Sequence, residues 1–187
     1  MRVIAGKFRS RRLKGPGTLK LRPTSDRLRE TLFNILGPAV EDSLFIDAYA
    51  GTGAIGLEAI SRGARQVVLI ESNPKAARLI RENLAALEIF SGARLIEADA
   101  LAGLKKLSDR RMMADFIFLD PPYEHTEEHY RALEFLDASH LIAPRGIVIV
   151  EHRSGTELPD QLGRLECTRE VEQGEATLSF YRLAAAA

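Results

Sequence analysis

Two groups of residues in this 187-residue chain have the types and spacing that chemistry needs. The first is Asp47-Ala-Tyr-Ala-Gly51-Thr-Gly53-Ala-Ile-Gly56, followed by Glu71 twenty residues beyond Gly51. Glycines spaced G-x-G-x-x-G let a chain turn tightly and let a ligand approach the backbone. A carboxylate at Glu71 can accept hydrogen bonds from both ribose hydroxyls of an adenosine. Two cofactors share that arrangement. NAD(P) would rest its pyrophosphate on a helix N-terminus. S-adenosylmethionine has no phosphate and lays its amino-acid end over the turn. Asp47 leans toward the second, because a carboxylate there repels a pyrophosphate but orients an ammonium group. Asp99 can accept from the adenine amino group.

The second group is Asp120-Pro121-Pro122-Tyr123. Exocyclic base amines are poor nucleophiles, because the ring withdraws their lone pair. The Asp120 carboxylate and the Pro121 carbonyl can each hold one N–H, which turns the lone pair toward an electrophilic methyl group. Pro121 and Pro122 stiffen the turn and remove two competing N–H donors. Tyr123 offers a face for stacking an extruded base.

These residues need elements to place them. Ser43–Asp47, Gln66–Glu71, Ala93–Ala98, Asp115–Asp120 and Gly146–Glu151 read as strands. They alternate with helices over Gly53–Arg62, Pro74–Leu87, Leu101–Leu107 and Glu127–Leu136. That alternation predicts an α/β fold with a Rossmann-like, doubly wound, mainly parallel sheet of seven strands. Asp47, Glu71, Asp99 and Asp120 then all end strands on one rim, where ligands of open sheets bind. Arg164–Val171 and Ala176–Leu183, split by Glu172-Gln-Gly-Glu175, close the sheet as an antiparallel hairpin. Upstream, Leu28, Leu32, Ile35 and Leu36 form one helix face, which Gly37-Pro38 ends. Thr24, Ser25 or Asp26 can cap its start. Three segments follow: a basic arm or hairpin over 1–22, a sheet domain over 23–183 and a frayed tail over 184–187.

Asp-Pro-Pro-Tyr after the fourth strand, behind Asp-x-x-x-Gly-x-Gly, resembles the class I S-adenosylmethionine-dependent amino-methyltransferases. Met1-Arg-Val-Ile-Ala-Gly6, Arg22-Pro-Thr-Ser-Asp-Arg27-Leu-Arg-Glu30, Phe33-Asn-Ile-Leu36, Ala50-Gly-Thr-Gly53 and Gly56-Leu-Glu-Ala-Ile-Ser-Arg-Gly63 look like the RsmD family. Those enzymes methylate N2 of a guanine in small-subunit (16S) ribosomal RNA. The resemblance runs from residue 1 to Tyr123 and resumes weakly at Gly174–Arg182. Tyr49 stands where such proteins often carry Phe, and His152–Pro159 matches no family motif. The resemblance implies that Asp120 and Tyr123 act on the base, with Asp47, Gly51, Gly53, Glu71 and Asp99 around the cofactor. It also implies that the basic arm and Arg22–Glu30 border the RNA and the pocket.

Charge agrees with a polyanionic partner. Lys+Arg and Asp+Glu balance at 26 each, yet residues 1–22 hold eight cations (Arg2, Lys7, Arg9, Arg11, Arg12, Lys14, Lys20, Arg22) and no acid. Taking those eight away leaves 18 cations against 26 acids, a net of −8 over residues 23–187. Arg2, Lys7, Arg9, Arg11, Arg12, Lys14, Arg22 and Arg27 are the candidate RNA contacts. Cys167 is the single cysteine, so an internal disulfide is impossible. No run of 18 apolar residues or signal-peptide core occurs, so a cytoplasmic monomer without membrane contact is expected. No metal is expected either: His125 and His129 at i, i+4 supply only half a site. Three alternatives compete with an rRNA guanine-N2 methyltransferase. A DNA adenine-N6 enzyme shares the Asp-Pro-Pro-Tyr motif, but no room remains for a target-recognition domain. An NAD(P) oxidoreductase conflicts with Asp47. A non-catalytic assembly factor has no use for an intact Asp-Pro-Pro-Tyr.

Overall fold

The structure, a computed structural model, describes residues 1–17, 19, 24–122 and 126–184. Arg22, Tyr123, His125 and the expected boundary at 22/23 lie outside the described residues, as do residues 185–187 of the expected tail. Five parallel strands are β1 (Leu44–Asp47), β2 (Gln66–Glu71), β3 (Ala93–Glu97), β4 (Ala114–Leu119) and β5 (Ile142–Arg153). Three antiparallel strands follow, β6 (Gln161–Leu162), β7 (Leu165–Gln173) and β8 (Ala176–Leu183). The sheet order is β3-β2-β1-β4-β5-β8-β7-β6. It has eight strands rather than the expected seven. The extra strand, β6, has two residues that fold back on β7 around Gly163 at φ 56°, too short for any periodic signal. Strand β5 also runs longer than expected. Pro144 and Gly146 break the apolar pattern, and the chain crosses them by a register shift between the pairs Ala114↔Ile142 and Phe116↔Ile147.

Helices cover both faces. α1 (Asp26–Leu36), α2 (Ala54–Ser61) and α3 (Pro74–Ala86) pack on one side, α4 (Ala100–Asp109) and α5 (Thr126–Ala138) on the other. α1, α3 and α4 start where a side chain satisfies the first free N–H groups. Ser25 Oγ accepts from Leu28 N at 3.1 Å, and Asn73 Oδ1 accepts from Lys75 N at 2.9 Å ahead of Pro74. Leu28, Leu32, Phe33 and Leu36 of α1 bury against Phe45, Phe116 and Ile149. On the opposite face Ile46, Ile70 and Leu119 meet Leu104, Leu107, Leu133 and Leu136. Phe116 and Phe118 are core residues. Cys167 is half-buried at the edge of this core, and its thiol contacts Arg169 O at 3.7 Å.

Residues 1–14 fold against this layer. Val3 N donates to Arg11 O at 3.0 Å, Ser10 N to Val3 O at 2.9 Å and Leu13 N to Met1 O at 3.1 Å, with an antiparallel bridge between Arg2 and Arg12. Val3 and Leu13 bury against Ala54, Leu57 and Leu87, while Arg2, Lys7, Arg9, Arg11, Arg12 and Lys14 stay exposed. The buried Glu58 carboxylate accepts from Ile4 N at 2.8 Å and Ala5 N at 3.0 Å. Ser61 Oγ donates to Ala5 O and accepts from Phe8 N. Gly6 is required at this contact, because a Cβ there would stand 1.8 Å from Ser61 O.

Candidate active site

The chain order reverses between β1 and β4, and in such sheets the crevice at the carboxyl ends of these strands holds the ligand. Gly51 at φ 53° and Gly53 at φ 80° make the turn out of β1 in the left-handed region, and Gly53 caps α2. Gly56 is fixed by packing: a Cβ there would lie 2.9 Å from Leu69 Cδ2 and 3.0 Å from Val67 Cγ1. Glu71 braces the turn. Its Oε2 accepts from Gly51 N at 2.7 Å and its Oε1 from Asn73 N at 2.7 Å. Each carboxylate oxygen keeps a second lone pair for a further donor.

Asp47 is buried at the base of the turn. Its Oδ2 accepts from Gly56 N at 3.1 Å, and its Oδ1 is buried without a hydrogen-bond partner. Burial pushes its carboxyl up to about 7, reinforced by the charges of Glu71 and Glu151 and opposed by the Gly56 N–H. An orphaned buried acceptor fits a cationic ligand group, which would restore the charged form. In the free protein the native state holds a proton that the unfolded chain releases near pH 4. Stability contributed by this group is therefore full below about pH 4 and is lost as pH rises through about 7. Asp47→Asn removes that dependence. Urea unfolding at pH 5 and pH 8 should show a smaller loss for the variant than for the native chain; equal losses would mean Asp47 ionises normally.

Asp120 follows β4, half-buried, and Pro121 is buried while Pro122 is exposed. Ala48 N donates to Phe118 O at 3.0 Å, so the β1–β4 ladder continues to this rim and holds Asp120 beside the glycine turn. Tyr49, half-buried in the same rim, has its phenol held well above the ordinary value by burial and by the Glu128 and Asp99 carboxylates. Asp99 is exposed, and its Oδ1 caps α4 by accepting from Leu101 N at 3.0 Å and Ala102 N at 3.5 Å. Arg27 is exposed on α1.

Sequence reasoning passed over two residues here. Glu151 lies in β5, one strand beyond Asp120 and just past the last β4–β5 pair, 4% exposed, and its Oε2 accepts from Thr24 Oγ1 at 3.3 Å. Asn83, fully buried on α3, donates from Nδ2 to Thr52 O at 3.1 Å and Lys14 O at 3.2 Å, tying the glycine turn to the basic hairpin. A single Glu or Asn carries no spacing signal, so neither was visible. His129 is buried beneath this rim with Nε2 3.2 Å from Glu151 O. Among the described residues no group of three His, Cys, Asp or Glu is placed to hold a metal.

A doubly wound sheet closed by an antiparallel hairpin, with a glycine turn, two carboxylates and Asp-Pro-Pro on one rim, is the fold of class I methyltransferases. Within that class the chain belongs to the RsmD family: the family model described as conserved hypothetical protein 95 matches residues 1–182. It is 33% identical over 184 residues to ribosomal RNA small subunit methyltransferase D of Escherichia coli K12, covering 97% of this chain and 89% of that protein. The Haemophilus influenzae protein of the same name is 36% identical over 152 residues, 81% of this chain and 78% of that one. The solved E. coli protein yhhF superposes with a TM-score of 0.85 at 32% identity, covering 100% of this chain and 99% of that one.

Proposed function

We propose that the chain transfers the methyl group of S-adenosylmethionine to N2 of a guanine in 16S ribosomal RNA. The observation that carries this is the shared rim: Asp47, Glu71 and the glycine turn at the ends of β1 and β2 stand on the same sheet edge as Asp120-Pro121 past the end of β4, the other neighbour of β1. The names of the E. coli and H. influenzae relatives point to small-subunit ribosomal RNA as the substrate. The cofactor supplies a methyl carbon made electrophilic by its sulfonium. Asp47 Oδ1 would take its ammonium group, Glu71 its ribose hydroxyls and Asp99 its adenine amine. Asp120 and the Pro121 carbonyl hold the two N–H bonds of the target amine, and Tyr123 stacks the base. With the cofactor bound, its methyl carbon would pass to N2 and the neutral thioether would leave, while Asp120 would hold the N–H whose proton goes to solvent. Among the described residues no helix is long and apolar enough to cross a membrane, in keeping with a cytoplasmic enzyme. Transfer of labelled methyl to 16S rRNA and to assembled small subunits, with the product hydrolysed to nucleosides, tests the reading. N2-methylguanosine is expected. Label in DNA adenine, or none in either RNA substrate, overturns it.

The exposed cations of the docked hairpin and the exposed Arg27 form the RNA-binding face in this proposal, and Arg22, outside the described residues, is assigned to it on charge alone. Replacing Arg9, Arg11 and Arg12 with Gln should weaken RNA binding and flatten its salt dependence. Each lost phosphate contact lowers the log–log slope by about 0.7–0.9. Adenosylhomocysteine affinity, read by calorimetry, should stay near the native value. An unchanged salt slope would place the RNA elsewhere.

A further inference from the structure

The reaction proposed above leaves one question of chemistry open: what makes the site accept guanine and refuse adenine, when Asp-Pro-Pro-Tyr serves either amine. Alternation along the strands answers it. In β1 Phe45 faces the α1–α3 side and Ile46 the other, so Asp47 shares the face of Phe45. In β2 Leu69 and Ile70 divide the same way, which puts Glu71 on that face. In β5 Ile149 and Val150 divide likewise, which puts Glu151 there too. Leu119 pairs with Val150 as the last pair of the β4–β5 ladder, so the next residues, Asp120 past the end of β4 and Glu151 within β5, are neighbours across the two strands. Adjacent strands lie about 4.8 Å apart, comparable to the width of a base edge. The field of Glu151 reaches the orphaned Asp47 carboxylate, which places Glu151 toward the same crevice.

We infer that Glu151 is the guanine-selecting residue of the site, accepting the N1–H of the target base while Asp120 holds the neighbouring N2 amine. The inference rests on the methyl-transfer reading above. Guanine presents N1–H and its N2 amine side by side, two donors matched to two carboxylates. Adenine presents a lone pair at N1 beside its amine, and a carboxylate facing that lone pair is repulsive. Selection by an opposing acceptor needs no contact that favours guanine elsewhere. Thr24, ahead of α1, donates to Oε2 and fixes the carboxylate's rotamer. A carboxylate has about four acceptor positions and can take several donors at once.

The test uses 16S rRNA ligated to carry either guanine or 2,6-diaminopurine at the position that methyl mapping identifies. Diaminopurine keeps the 2-amino group but has a lone pair at N1. Single-turnover transfer by the native chain should prefer guanine by on the order of 10–10²-fold. In Glu151→Gln the amide can donate to that lone pair, so the preference should fall to near unity or reverse, with adenosylhomocysteine affinity and thermal unfolding near native. A native chain that methylates both bases equally well overturns the inference without any variant. So does a Glu151→Gln chain that keeps the native preference, since a merely structural residue would lower both rates together. Absence of transfer to guanine by the native chain would sink the parent reading instead.

Discussion

Asp120→Ala should lose about 10²–10³ of the single-turnover methyl-transfer rate, a cost of about 3–4 kcal/mol, while adenosylhomocysteine still binds with native affinity. The side chain stands just past β4, half-buried, and is not part of the sheet's ladder, so its loss spares the fold. The contacts assigned to the cofactor lie on other elements: Asp47 on β1, Glu71 on β2 and the glycines between β1 and α2. A fixed acceptor beside the reacting nitrogen does its work only as charge develops there, which lowers the rate and not the ground-state affinity when it is removed. Asp120→Asn separates two contributions. Its amide oxygen still accepts one N–H, so orientation is kept. The negative charge that stabilises positive charge growing on the amine is lost. The order Asp, Asn, Ala at equal cofactor affinity is the expected result. Native turnover by Asp120→Ala would make Asp120 a turn residue only.

What the sequence revealed and what it hid divide along a physical line. Elements specified by local rules were legible: β2 and β8 have the bounds their apolar runs predict, and of the three capping candidates Thr24, Ser25 and Asp26 it is Ser25 that caps α1. The glycine turn, Asp47, Glu71 and Asp120 meet on one rim because strand ends of a parallel sheet must. Asp99 shows the limit of that argument. Expected to end its strand, it lies two residues past the last residue of β3, Glu97, and its Oδ1 is committed to capping α4, a local bond that the rim position did not reveal. The basic arm was legible as charge alone. Its docking was not, because Val3 and Leu13 are isolated apolar residues among cations, and what holds them is a carboxylate more than forty positions away on α2. Long-range polar pairing leaves no periodicity. Glu58 and Glu151 are each one acid in a strand or helix whose neighbours read as apolar.

Glu58→Ala should destabilise the protein by about 3–5 kcal/mol, the cost of leaving one partner of a buried ion pair alone. Both side chains of the pair are fully buried: Arg29 Nε lies 3.8 Å from Glu58 Oε2. Burial pulls the Arg29 guanidinium below its ordinary value, opposed chiefly by Glu58 and then by Asp26, and an arginine does not escape by losing its proton. Asp26, at 2.8 Å, is half exposed and cannot replace Glu58, because a screened charge compensates a buried one poorly. Glu58 also accepts from Arg62 Nε at 2.8 Å and from the Ile4 and Ala5 amides, so its loss strands three more donors. Against a total stability of about 5–15 kcal/mol, that is enough to shift the urea midpoint by a large fraction. Amide exchange should show where the loss begins: the protection of Ile4 and Ala5 should fall before that of β1 or β4, because their amides donate to this carboxylate while those of β1 and β4 are bonded within the sheet. Replacing both partners, as Arg29→Met with Glu58→Leu, should recover much of the stability without restoring the hairpin bonds. A Glu58→Ala chain that unfolds within about 1 kcal/mol of native would mean that the Arg29 charge is solvated after all and that the hairpin is held by its apolar contacts alone.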